Sequence, residues 1–183
     1  MLKHRVSIDD RPEIVELKER IGDWEGDTVV GKNHKGAMVT LSCRASRYTL
    51  ATMLPGKHAV GVTAAITRLL SPHKLKRHTV TFDHGKEFAG HEKMATQLEV
   101  DIYFAHPYCS WERGLNENTN GLLRQYFPKG TQFDTVTEDG MHAAVTALNH
   151  RPRKVLGFRS PYEVFFDKTK RYTASANVVA LRT

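Results

Sequence analysis

The sequence predicts an α/β fold, a mixed five-stranded sheet flanked by helices on both faces. Three observations predict it. Three short β-prone runs follow one another between Trp24 and Leu54 with only turn segments between them, the pattern of an antiparallel meander. After Pro55-Gly56, β-prone runs alternate with helical apolar stripes, the pattern of parallel crossovers. The chain has 183 residues, which fits one compact domain at roughly 100–200 residues per domain and is long enough to bury a core without disulfides.

Residues 1–20 are polar and charged, with Ile14, Val15 and Leu17 as their apolar cluster, and read as an N-terminal arm with a short helix. Trp24–Val30, Ala37–Cys43 and Tyr48–Leu54 form the meander, separated by Gly31–Gly36 and Arg44–Arg47. Val62, Ile66, Leu69 and Leu70 recur at i, i+4, i+7 and i+8, a helical stripe that Ser71-Pro72 stops. His78–Phe82 is the fourth strand and ends at Asp83. Phe88, His91, Met94, Ala95 and Leu98 suggest a helix, and Val100–Phe104 is the fifth strand. A helix is expected over Gly114–Phe127, and Thr137 caps a long one carrying Met141, Val145 and Leu148. Ser160-Pro161-Tyr162-Glu163 is a capping box with proline at the first helical position. The order β-β-β-α-β-α-β-α-α is what a ribonuclease H-like fold would give. The expected division is an arm at 1–20, a core at 21–168 and a tail at 169–183.

Apolar residues make up 40% and charged residues 26%, which excludes disordered and fibrous classes. No apolar run approaches the ~20 residues of a membrane span, and the start lacks a signal-peptide core, so no membrane partner and a cytoplasmic location are expected. Cys43 and Cys109 fit a reducing compartment. The net charge is +7, unevenly spread: residues 28–82 contain nine Lys or Arg and no Asp or Glu. That stretch predicts a positive face suited to nucleic acid, or one kept for solubility.

Three carboxylates stand out. Asp27 lies in the first strand, where alternation sets Asp23, Glu25 and Asp27 on one face. Carboxylates are poor strand formers, so the row has a cause, functional or simply an exposed strand face. Asp83 ends a central strand beside a Gly turn, a position where sheet enzymes place functional groups and where Asp also serves turns. Glu117 sits among Asn116, Asn118, Thr119, Asn120 and Gly121, a poor helix by propensity that tertiary packing could hold over a site; an exposed loop is the alternative. In the inferred fold the first and fourth strands are neighbours and a later helix crosses their ends, so the three acids converge. Three carboxylates about 4 Å apart repel by several kcal/mol per pair. They need protonation or a cation, and hard oxygen ligands suit Mg²⁺ or Mn²⁺. Two such ions roughly 3.5–4 Å apart are suited to phosphoryl transfer.

Four segments carry a resemblance. They are Gly22-Asp23-Trp24-Glu25-Gly26-Asp27-Thr28, Thr81-Phe82-Asp83-His84-Gly85-Lys86-Glu87-Phe88, the run from Arg113-Gly114-Leu115-Asn116-Glu117-Asn118 to Pro128-Lys129, and the run from Asn149-His150-Arg151-Pro152 to Tyr162-Glu163. Together they resemble the catalytic domain of bacterial D-D-E transposases of the insertion-sequence-thirty family and their integrase relatives, from about Arg5 to Phe166. The third segment is the most specific, and the 33 residues between Asp83 and Glu117 match the spacing of such families. The resemblance implies that Asp27 and Asp83 are the metal-ligating aspartates and Glu117 the third acid. It also implies two Mg²⁺ or Mn²⁺ ions, DNA as substrate and target, a homodimer or higher oligomer in the active complex, and work on the bacterial nucleoid. Arg124 matches a basic residue seven positions after the glutamate. Glu117, Gly121 and Arg124 share one helical face, so Arg124 is expected at a DNA phosphate, with a plain surface arginine as the alternative. Arg151, Arg153 and Lys154 form a basic run suited to phosphate contact or to solvation. Family members carry a helix-turn-helix region ahead of this domain, so recognition of element ends is expected to reside there.

Weaker signals remain. His106 and Cys109 are three apart with no second pair at zinc-finger spacing. His84 can touch a phosphate or serve the turn. Tyr108 and Trp111 can stack on an unpaired base or pack on the domain. The leading expectation is a metal-dependent DNA strand-transferase, against a nuclease of the same fold that never joins strands, a DNA-binding or assembly fragment inactive in isolation, and, remotely, a two-carboxylate glycosidase.

Overall fold

A computed structural model describes residues 4–107 and 109–167; at Ser110 and Trp111 only the backbone is described. The strands are β1 (Val6–Ser7), β2 (Asp23–Val30), β3 (Ala37–Cys43), β4 (Thr49–Leu54), β5 (Thr79–Phe82) and β6 (Asp101–Phe104). The α-helices are α1 (Glu13–Leu17), α2 (Ala59–Leu70), α3 (His91–Leu98), α4 (Gly114–Leu123), α5 (Glu138–His150) and α6 (Pro161–Phe165). The sheet order is β1-β6-β5-β2-β3-β4. β2, β3 and β4 are antiparallel, while β5 joins β2 in parallel and β6 and β1 continue that direction.

The expected mixed sheet is therefore present, with six strands rather than five. The sixth, β1, is two residues long and comes from the stretch read as an arm. Two residues carry no alternation, so periodicity has nothing to detect. Residues 4–20 also enter the core: Val15 is fully buried, and Arg11 donates to Thr81 Oγ1 at 2.7 Å.

Two apolar cores flank the sheet. On one face Trp24, Val39, Leu41, Val80 and Phe82 meet Val62 and Ile66 of α2, Met94 and Leu98 of α3, and Phe165. Gly26 lies on this side because a Cβ there would stand 2.3 Å from the Phe82 ring, which stacks on Phe88 at 4.2 Å. On the other face Met38 meets Leu123, Phe133, Met141 and Leu148 beneath α4 and α5. β3 is buried along its whole length because both faces are covered. The helix caps follow the sequence: Thr137 accepts from the Gly140 N–H at 3.1 Å, and Ser160 and Glu163 form the capping box. The expected helix over 114–127 ends at Leu123, where Arg124 is its C-cap.

Candidate active site

The face of β2 under α4 carries Asp23, Glu25 and Asp27 before Val29 joins the apolar cluster. Register pairs Glu25 with Ser42 and Asp27 with Thr40, so these four side chains lie on the α4 side of the sheet. α4 answers with its own polar residues. Asn116 N–H donates to Glu25 Oε2 at 3.2 Å, Ser42 Oγ donates to Thr119 Oγ1 at 3.0 Å, and Asn120 Nδ2 donates to Asp27 Oδ2 at 2.7 Å. A segment with poor intrinsic propensity is thus helical where the Thr119 and Asn120 side chains and the Asn116 N–H meet the sheet beneath them, while the Asn116 side-chain amide is buried without a partner.

Within this row the carboxylates divide. Asp23 and Glu25 are buried, each with 2% side-chain exposure. Asp23 takes both Arg20 Nε and Nη2, at 3.0 and 2.7 Å, and Thr79 Oγ1 at 2.9 Å. Glu25 takes Arg44 Nη1 at 2.7 Å. Asp27 is the most open of the row, at 21% side-chain exposure, and Asp83, just past the end of β5, is 39% exposed. The Arg113 guanidinium lies between these last two, with Nη2 3.2 Å from Asp83 Oδ2 and Nη1 3.7 Å from Asp27 Oδ1. Burial pushes the Asp27 carboxyl above its ordinary range and Asp83 adds to the rise; Arg113, the Thr28 N–H and Asn120 act against it. Asp83 Oδ1 accepts the Gly85 N–H at 2.8 Å, the turn geometry expected of it. A Cβ on Gly85 would come within 3 Å of both Asp83 Oδ1 and Glu87 Oε2.

Asp27 and Asp83 are therefore brought together, and the cation between them is the chain's own. Glu117 is exposed on α4, next to Asn116 and three residues before Asn120. Among the described residues no three of His, Cys, Asp and Glu are grouped so as to hold a metal. The pair itself fits a divalent cation: its oxygens are hard ligands, partly open, and already gathered around a positive charge.

The basic residues expected at DNA have local partners. Arg124 Nη1 reaches the Phe127 and Pro128 carbonyls at 3.4 Å, and its guanidinium lies 5.4 Å from the Phe133 ring centroid. Arg151 donates to Gln125 Oε1 at 2.9 Å and Tyr126 Oη at 3.1 Å. Arg153 donates to the Leu148 carbonyl at 3.3 Å, and Lys154 is exposed. The acid-free stretch is not one positive face. Arg44 and Arg77 are buried, Lys76 caps the Phe165 carbonyl, and Lys74 pairs with Glu99 at 3.4 Å. Tyr108 and the side chain of Trp111 lie outside the described residues.

Sequence reasoning missed three participants. Arg113 stands four positions before Glu117, an i, i+4 pair across the helix start that could have been noticed. Asn120 is one more polar residue in a polar run. Glu87 accepts from Thr28 Oγ1 at 2.7 Å, beside Asp27, a long-range contact without a local signal.

No protein-family model matches the chain. Curated relatives do. A transposase for insertion sequence element IS4351 from Bacteroides fragilis is 53% identical over 161 residues, 88% of this chain and 49% of the relative. Transposase InsI for insertion sequence element IS30A from Escherichia coli (strain K12) is 40% identical over 86% of this chain and 41% of its own length. The chain is homologous to part of the IS30-family transposases. A transposase for IS1086 from Cupriavidus metallidurans, 40% identical over 87% of the chain and 47% of the relative, extends the group. The chain spans about half the length of these curated relatives. Among solved structures, the catalytic core domain of BIV integrase matches with a TM-score of 0.63 at 23% identity, covering 80% of this chain and 94% of that one. A chain of a simian T-cell lymphotropic virus intasome matches at 0.67 and 16% identity, covering 80% and 54%. The fold is thus the ribonuclease H-like fold of integrase cores.

Proposed function

We propose that this chain is the catalytic core of a transposase, a D-D-E polynucleotidyl transferase that cuts DNA at element ends and joins the freed 3′ hydroxyl to target DNA. The observation that carries this reading is the convergence of Asp27 and Asp83, from adjacent parallel strands, on one cation at an open edge under α4. Asp27 and Asp83 would hold Mg²⁺ or Mn²⁺, with Glu117 as the third acid. When bound, the ions supply Lewis-acid activation of the attacking oxygen and charge stabilisation at the scissile phosphate. The chain's own part is to hold the two carboxylates in register through β2 and β5, to fix Asp27 with the Thr28 N–H and the Asn120 amide, and to yield the place of Arg113. Arg113, once released, stands at the same edge as a phosphate partner. Arg124, Arg151, Arg153 and Lys154 are assigned to the DNA backbone, where contacts position the duplex without reading sequence. The catalytic unit is assigned to residues 21–168, working as a homodimer or larger assembly on nucleoid DNA in the cytoplasm. Among the described residues no helix is long and apolar enough to cross a membrane.

The test is a Mn²⁺-dependent nicking assay on plasmid DNA, followed by strand transfer with precleaved ends. Asp27→Asn and Asp83→Asn should each lower nicking by roughly a thousandfold or more, the scale of several kcal/mol of lost charge stabilisation. Full activity in either variant would overturn the assignment. Nicking without joining of precleaved ends would reduce the protein to a nuclease.

A further inference from the structure

A cavity of about 260 Å³ opens between α4, the β3–β4 turn and the chain following α5. Its polar wall is made by Arg47, Thr49, Asn118, Thr119 and Arg153, and no carboxylate contributes to it. Among the described residues neither arginine forms an ion pair. The Nε of Arg47 is buried without a hydrogen-bond partner, and Arg153 donates to the Leu148 carbonyl. Glu25, whose charge reaches Arg47, is already held by Arg44 at 2.7 Å. Arg47 adopts a left-handed backbone, with φ of 63°, a conformation disfavoured for a residue with a Cβ.

The energetics of the cavity call for an anion. Burial holds both guanidinium groups below their ordinary range; Glu25 acts against the fall at Arg47 and Tyr126 at Arg153, while Arg44 adds to it at Arg47 and Arg151 at Arg153. Partly dehydrated charges that no ion-pair contact compensates are unfavourable. Guanidinium forks match the geometry of a tetrahedral oxyanion. Thr119 Oγ1 accepts from Ser42 and so keeps its own proton for donation.

We propose that this cavity is a phosphate-binding site in which Arg47 and Arg153 clasp one phosphate group and the Thr119 hydroxyl completes the cradle. Asn118 and Thr119 immediately follow Glu117, so the site lies along the helix that carries the proposed third acid. The phosphate belongs either to a DNA backbone or to a free phosphate compound, and the ligand chemistry is the same.

The test has two arms, and neither requires cleavage, so it stands or falls apart from the metal-site assignment. In the first, melting is followed in phosphate and in chloride at equal ionic strength. A tenfold excess over the dissociation constant should raise the Tm of the unaltered chain by roughly 3–6 °C. Arg47→Gln and Arg153→Gln should abolish the shift, and Arg47→Lys should retain part of it. In the second arm, DNA affinity is measured across a salt titration. Loss of one phosphate contact should reduce the salt slope by about one. A lower slope in both Gln variants assigns the site to the DNA backbone. A lost phosphate shift with an unchanged slope assigns it to a free phosphate compound. No phosphate shift together with an unchanged slope overturns the proposal.

Discussion

At the start of β2 two buried carboxylates are each hydrogen-bonded to a different arginine, whereas further along Asp27 shares one arginine with Asp83, just past the end of β5. Asp23 with Arg20 and Glu25 with Arg44 are hydrogen-bonded ion pairs whose carboxylates are buried, and Arg44 also reaches Glu16 at 3.1 Å. Asp27 and Asp83 divide Arg113 at 3.7 and 3.2 Å and remain open to solvent. All four are carboxylates beside an arginine; what differs is their exposure, 2% for Asp23 and Glu25 against 21% and 39% for Asp27 and Asp83. A carboxylate buried with its partner is closed into the fold, and two that share one cation at an exposed edge are open to another ligand.

The largest effect should come from breaking a closed pair. Arg44→Met leaves Glu25 buried without its cation, at about 3–5 kcal/mol, or roughly 6–20 °C in Tm for a domain of this size. Calorimetry of Arg44→Met should show this loss, and adding Glu25→Gln should recover part of it, since removing both members of a buried pair is often near neutral. An unchanged Tm in the single variant would erase the distinction between the two ends.

Asp27→Asn should act in the opposite direction. The Asp27 carboxyl is raised above its unfolded value, chiefly by burial, so its ionisation disfavours the fold above that raised range. At neutral pH and without metal the variant should melt at or above the parent temperature. The difference should vanish below pH ~3, where the carboxyl is protonated in both states. A clear loss of stability at pH 7 would show Asp27 to be structural like Glu25.

Arg113→Gln sharpens the shared-cation reading. Without the guanidinium the metal-free chain should melt lower, while Mn²⁺ should bind more tightly and give a larger thermal shift, because no internal cation has to be displaced. Equal Mn²⁺ shifts in the parent and the variant would remove Arg113 from the site.

The smallest effect concerns how the loop before α4 is tied down. His106 Nδ1 lies 2.8 Å from Glu112 and Nε2 lies 2.9 Å from Asp9, and these contacts, with Glu112 first, raise the imidazole above its ordinary range. A raised pKa makes the tether complete below pH ~6.5 and loses it as pH climbs through the folded value. NMR titration should place His106 above an unperturbed histidine, with a downward shift in Asp9→Asn. No change on Asp9→Asn would remove the arm from the tether.

Much of this is legible in the sequence. The meander, the alternating strands and helices, and the caps at Thr137 and Ser160 follow from period and turn chemistry, which act over a few residues. Asp27 and Asp83 could be paired because parallel neighbours bring their strand ends together. What was not legible depends on contacts between distant segments. β1 is too short to carry a period, and charge counting cannot separate Arg44 and Arg77, which are buried, from lysines at the surface. Glu117 lies on the helix expected for it, but its spacing fixes the helix face and not its distance from the aspartates. The cavity at Arg47 and Arg153 joins a turn to a loop about a hundred residues later, beyond any local pattern.

The central claim is that the Asp27–Asp83 edge is a metal site kept shut by Arg113. A crystal structure of the chain with bound Mn²⁺, located by its anomalous signal, tests it most directly. The account predicts a peak between the Asp27 and Asp83 carboxylates, Arg113 withdrawn from both, and Glu117 turned toward the ion. A peak elsewhere, or Arg113 still between the two aspartates at saturating Mn²⁺, would contradict it.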